Sequence, residues 1–206
     1  MKIFFGMAGD GCPIDWGVLY EAGTNGQFMD VLVRLPRACW GKQDCGGITL
    51  LYHACRGPNV AAIVMLLQSG LVDVNTRSKL GTTNVHMACR GSSRVLEVLC
   101  AAGANLRVGN EFGYTPIEFA LVTPSKNGAR VLLANGVRLS TVPKESRKYI
   151  TPELATFECG VLRCRAAVVA MLRVKKAAQL YHVDKFLMRE LAFAMWATRT
   201  DDKWQK

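Results

Sequence analysis

The chain has no apolar run approaching the roughly 20 residues that a membrane-crossing helix needs. Its opening stretch, "MKIFFGMAGDG", holds one lysine and a short apolar patch broken by Gly6, with no cleavage region behind it. A secretory leader is therefore not expected, and we read the chain as intracellular and cytoplasmic. Glycines occur in "AGDGCP" and "GGITL", but without the lysine of a phosphate-cradling loop. Only three histidines are present, at positions 53, 86 and 182, and the acidic residues are scattered. A cysteine nucleophile needs a neighbouring base, and paired carboxylates cannot be placed in one pocket. We expect no enzyme and no cofactor.

Acidic residues are also few, 16 against 26 Lys and Arg, a net charge of +10. Residues 141–206 carry 13 basic and 7 acidic residues, so +6 of the excess lies in that last third. Yet no five basic residues are consecutive; the densest spots are Arg163-Cys164-Arg165 and Arg173-Val174-Lys175-Lys176. A nucleic-acid-binding basic protein is the reading the charge invites, and the missing basic run argues against it.

Half of the residues are apolar, enough to bury a sizeable core, and eight are cysteines. Without a leader, reduced thiols are the expectation. Cys159 and Cys164 stand at a zinc-like spacing, but Cys39 and Cys45 stand wider than the usual Cys-x(2–4)-Cys pair. Cysteines 55, 89 and 100 read better as small apolar residues between helices. We expect no metal.

What the chain does have is a repeat. "GITLLYHAC", "GTTNVHMAC" and "GYTPIEFAL" align so that Gly47, Gly81 and Gly113 are separated by steps of 34 and 32. Thr49, Thr83 and Thr115 keep those steps, as do Ala54, Ala88 and Ala120. Each unit closes on an apolar pair before a glycine: Leu66-Leu67 with Gly70, Leu99-Cys100 with Gly103, Leu132-Leu133 with Gly136. Glycine permits the positive φ of a tight turn. The threonine two residues later is placed to cap a helix, and Pro116 suits a first-turn position that lacks a hydrogen-bond partner anyway. The spacing in "VAAIVMLL" and "VLEVL" predicts a second helix in each unit. A period near 33 residues, with one turn and two helices per unit, predicts a stacked array.

These stretches resemble the ankyrin-repeat signature Gly-x-Thr-Pro-Leu-His-x-Ala-Ala, and "LLQSGLVDVN" and "LCAAGANLR" resemble its ending. The third unit keeps the proline, as Pro116, and the second keeps the histidine, as His86; Tyr52 and Glu118 stand in that place elsewhere. The third unit also carries an irregular "VTPSKNG" between its helices. The resemblance implies an all-α ankyrin solenoid, helix-turn-helix units joined by β-hairpin turns, over about residues 14–140. Residues 1–42 form a degenerate N-terminal capping repeat, residues 43–140 three ankyrin repeats, and residues 141–206 a C-terminal helical cap or recruiting segment. In that last part Thr151, Pro152 and Glu153 signal a helix start. A further apolar stripe, with Asp184 as its N-cap, runs through Phe186, Leu187, Leu191, Ala194 and Met195.

Ankyrin arrays act by protein binding, so a partner protein and no membrane are implied. The frame implies which side chains are displayed: Cys45, Gly46, Ile48 and Arg56; Lys79, Leu80, Thr82 and Arg90; Glu111, Phe112, Tyr114 and Val122; and Thr24 and Asn25 from the capping repeat. The partner-binding candidates among them are Ile48, Arg56, Lys79, Leu80, Arg90, Phe112 and Tyr114. Apolar and aromatic groups beside arginine match the composition of interface hot spots. His86 is expected to tie turn to helix. An alternative function follows from "VDKFLMRELAFAMW", which resembles the first helix of F-box-like segments ending many ankyrin proteins of large DNA viruses. There the chain would be a substrate adaptor recruiting a ubiquitin-ligase subunit, although His182-Val183-Asp184 replaces the usual Leu-Pro start.

Overall fold

The computed structural model describes residues 14–177. The chain divides into two compact units, one ending at Tyr149 and the other starting at Ile150. Among the described residues of the first, eight α-helices come in four pairs: α1 (Trp16–Asn25) with α2 (Phe28–Leu32), α3 (Leu50–Ala54) with α4 (Val60–Gln68), α5 (Asn84–Arg90) with α6 (Ser93–Ala101), and α7 (Pro116–Val122) with α8 (Asn127–Ala134). Each pair is one layer, and successive layers stack inner helix on inner helix and outer on outer.

The repeat residues explain why the layers are alike. Gly47, Gly81 and Gly113 take φ of 72°, 69° and 80°, left-handed values that a side chain resists. Each glycine closes a tight loop ahead of an inner helix. The Asp44 amide donates to the Ile48 carbonyl at 2.9 Å, Ser78 to Thr82 at 3.0 Å and Asn110 to Tyr114 at 2.9 Å. Three different side chains brace the same loop. Asp44 Oδ1 accepts from the amides of Gly46 and Ile48, Ser78 Oγ from that of Thr82, and Asn110 Oδ1 from those of Phe112 and Tyr114. The expected β-hairpins are thereby reduced to loops, with single antiparallel bridges at Gln43–Thr49 and Arg77–Thr83.

Thr49, Thr83 and Thr115 are the N-caps of α3, α5 and α7. Behind them lies a continuous core. Leu50, Leu51, Ala54, Ile63 and Leu66 of one layer, Val85, Ala88, Leu96 and Leu99 of the next, and Ile117, Ala120, Leu121 and Leu132 of the third are all buried. Each such leucine or isoleucine contributes roughly 2 kcal/mol by leaving water. Small residues set how closely layers approach. A Cβ on Gly57 would lie 2.2 Å from the Gly23 carbonyl oxygen, so the N-terminal and first full layers touch there backbone to backbone.

The irregular "VTPSKNG" stretch is held by its own chemistry. The Lys126 ammonium donates to the Leu121 and Thr123 carbonyls, and the Thr123 hydroxyl to the Ala120 carbonyl at 2.7 Å. A cation thus satisfies the orphan carbonyls at the end of α7. Past the last layer the first unit continues through a short 3₁₀ turn, Lys144–Tyr149.

In the second unit the described part is one helix, α9 (Pro152–Ala177), 26 residues long. The Thr151 carbonyl accepts from the Leu154 and Ala155 amides at 3.1 and 3.2 Å. Pro152, which has no amide to place, opens the helix. The stripe around Phe186–Met195, and with it the F-box-like resemblance, lies outside the described residues. None of the described helices is long and apolar enough to cross a membrane. Cysteines 45, 55, 89, 100, 159 and 164 form no disulfide, whereas Cys39 is disulfide-bonded, a departure from the reduced state expected for all of them.

Candidate interaction surface

The loops and inner helices together make one face of the array. Adjacent loops are tied in register: the Lys79 amide donates to the Gly46 carbonyl at 2.8 Å and the Glu111 amide to that of Leu80 at 3.1 Å. Arg77 reaches across a layer to the Gly109 carbonyl at 3.0 Å, and Arg107 to that of Gly136 at the same distance. The loop tips therefore form a continuous, mutually bonded edge rather than separate fingers.

On that edge Phe112 is 67% exposed, Leu80 55% and Tyr114 51%, values that place three large apolar side chains in water rather than against the next loop. Lys79 and Arg90 are exposed, and Ile48 and Arg56 half-buried. Cys45, Glu111, Val122, Thr24 and Asn25 are exposed and Gly46 half-buried. Thr82 is not displayed: it is buried, its amide held by Ser78 Oγ at 3.2 Å. The loop turns inward one residue before the N-cap, which the spacing alone did not reveal.

The residues fall into two groups. Leu80, Phe112 and Tyr114 lie on the loop edge with Lys79. Arg56 and Arg90, at the far ends of the inner helices, line a cleft of about 510 Å³ with Ser92, Ser93, Ser125 and Asn127. The Arg56 guanidinium carbon sits 3.8 Å over the Tyr20 ring, a cation–π contact that fixes its orientation. Tyr20 and the cleft hydroxyls escaped the sequence reading. The pairing of Tyr20 with Arg56 has no signature in the sequence, because the ring and the guanidinium come from different repeats, whereas Ser92 and Ser93 follow Arg90 within one repeat.

Frame residues behind the face are bonded rather than reactive. His86 Nδ1 accepts the Thr83 amide at 3.2 Å and lies 2.8 Å from its hydroxyl; Nε2 is 3.0 Å from the Tyr114 carbonyl oxygen. A carbonyl only accepts, so Nε2 carries the proton, and the ring joins turn, helix and next layer. Burial lowers its pKa. Glu118 does the same work in the last layer: Oε2 accepts from the Thr115 amide and hydroxyl at 2.9 and 2.8 Å, and Oε1 accepts from Ser146 at 2.8 Å. Both are capping boxes. Burial pushes the Cys55 and Cys89 thiols far up, the opposite of an activated nucleophile. Among the described residues, no three or more His, Cys, Asp or Glu side chains cluster as metal ligands would.

The family model described as "Ankyrin repeats (3 copies)" matches residues 19–110 and 51–142, together more than half the chain. The chain belongs to the ankyrin-repeat family. Human BCL-6 corepressor-like protein 1 is 34% identical over 91 residues, which is 44% of this chain and 5% of that protein. Bovine mitochondrial disaggregase is 34% identical over 97 residues, 47% of this chain and 14% of that protein. Human transient receptor potential cation channel subfamily A member 1 is 32% identical over 87 residues, 42% and 8% of the two chains. The chain thus spans only a small part of these relatives. A corepressor-like protein, a disaggregase and a channel differ in what their names describe, so the likeness reaches the repeats alone. Ankyrin repeats are an interaction fold, and the array is a protein–protein interaction module with a protein as its partner.

Proposed function

We propose that this ankyrin array binds a segment of a partner protein on its concave face, and that it does so without catalysis. Leu80, Phe112 and Tyr114, with Ile48, supply the apolar contact; Arg56, Lys79 and Arg90 orient the partner. Residues 1–42 cap one end of the three repeats in 43–140, and residues 141–206 serve as a helical cap beyond them. The observation that carries this reading is the exposure of Phe112, Leu80 and Tyr114 on a bonded, in-register loop edge. Exposed aromatics on a rigid support lose little conformational freedom on binding.

The test is proximity labelling or pull-down with the wild type and the Phe112→Ala/Tyr114→Ala double variant. Loss of the enriched proteins at an unchanged melting temperature is the expected result; an unchanged set of partners refutes the proposal. Removing residues 180–206 addresses the adaptor alternative, because loss of a ligase subunit alone is the outcome that reading requires.

A further inference from the structure

The cleft at the ends of the inner helices has a composition that the loop edge lacks. Its lining holds two guanidinium groups, the hydroxyls of Ser92, Ser93 and Ser125 and the Asn127 amide, and no acidic side chain. Arg56 is oriented by Tyr20, and its Nε is buried without a hydrogen-bond partner. Among the described residues no carboxylate lies within ion-pair distance of Arg56 or Arg90. The floor is tight, because a Cβ on Gly91 would lie 2.9 Å from the carbonyl oxygens of both Cys55 and Arg56.

Arg56, Arg90 and Val122 each stand two residues after the repeat alanine of their layer, Ala54, Ala88 and Ala120. They are therefore equivalent positions in successive layers, Arg90 and Val122 as the last residues of α5 and α7 and Arg56 in the turn just past α3, and Val122 is 63% exposed. Packed helices lie roughly 8–10 Å apart. A β-strand returns to the same face every second residue, at about 6.7 Å, which is too short, or every fourth, at about 13 Å, which is too long. A polyproline-II segment returns every third residue, at about 9.3 Å, and fits.

We infer that the partner segment is an extended acidic peptide crossing the layers in polyproline-II conformation, with carboxylates on Arg56 and Arg90 and, at the next third position, an apolar side chain on Val122. Residues 1–140 keep 13 basic against 9 acidic residues, a net +4 that favours the same ligand. This rests on the concave face being the binding face, and it adds the partner's chemistry and register.

The experiment is selection of a displayed library of random dodecapeptides on the full chain, followed by affinities of the synthesised winners. Winners are expected to carry two acidic residues three apart with an apolar residue three further on, in one chain direction or the other. The Arg56→Gln/Arg90→Gln variant should weaken them roughly 10- to 100-fold, and Val122→Asp should also weaken them. Added salt should reduce wild-type binding more than that of the double variant. Should Arg56→Gln loosen the layer, Arg90→Glu alone, at an exposed residue, gives the same readout. Winners without acidic enrichment that depend on Phe112 and Tyr114 overturn the inference and leave the concave face standing. Acidic winners indifferent to both arginines overturn it as well. Winners indifferent to all of these residues, or no winners, overturn both readings.

Discussion

Two buried histidines, one residue out of step with each other in the repeat, meet opposite fates. His86 stands three residues after its capping threonine and has both ring nitrogens bonded. His53 stands four residues after Thr49 and is 5% exposed, with neither nitrogen bonded. It packs instead among Trp16, Tyr20 and Tyr52, with ring centroids 5.9, 6.3 and 6.2 Å away. Burial, aided by Arg56 and opposed by Asp44, brings its pKa from 6.5 to about 4. Register within the repeat, not residue type, decides whether an imidazole is a structural tie or an unpaired polar group.

Removing the tie is the most damaging way to probe this contrast. His86→Ala leaves the Thr83 amide and the Tyr114 carbonyl without their partner and opens a cavity, so we expect a loss of about 2–4 kcal/mol in urea unfolding. A loss below about 1 kcal/mol would mean that the ring is not the joint described.

His53 should behave oppositely. Its folded pKa lies below its unfolded one, so the unfolded chain binds the extra proton, and stability falls as pH drops from 6.5 towards 4. His53→Leu is expected to be neutral or stabilising by about 1 kcal/mol at pH 7. It should also flatten the acid limb of a stability-versus-pH curve by on the order of 2 kcal/mol. His86 adds a slope of the same sign, since burial lowers its pKa too, so an unchanged acid limb in His53→Leu would assign the whole effect elsewhere.

The smallest effect belongs to the last layer. Glu118→Gln keeps one acceptor oxygen for the Thr115 amide and hydroxyl, but presents an NH₂ group where Ser146 now donates. We expect about 0.5–1.5 kcal/mol by thermal unfolding. If the cost vanishes in a Ser146→Ala background, the two residues act as a pair.

The architecture was legible because it is periodic. Gly47, Gly81 and Gly113 at positive φ, and the threonine caps two residues on, are local demands that each repeat must meet by itself. The role of His86 in joining turn to helix was legible for the same reason, and the helix start at Pro152 from the local Thr151-Pro152-Glu153 signal alone. Thr82 was misplaced because facing inward or outward within a loop depends on the bracing side chain, here Ser78. The candidate face was legible only in part. Exposed Leu80, Phe112 and Tyr114 sit where the frame puts them, but the pairing of Arg56 with Tyr20 joins two layers and has no signature in either one.

Short-range rules, acting again every 32 to 34 residues, were enough to settle the unit, its number of helices and the residues that form its core. Stacking decided the rest: which arginine lies on which ring, which hydroxyls share a cleft with it, and which histidine goes unpaired. Those contacts join side chains contributed by different layers, so no single stretch of the chain encodes them.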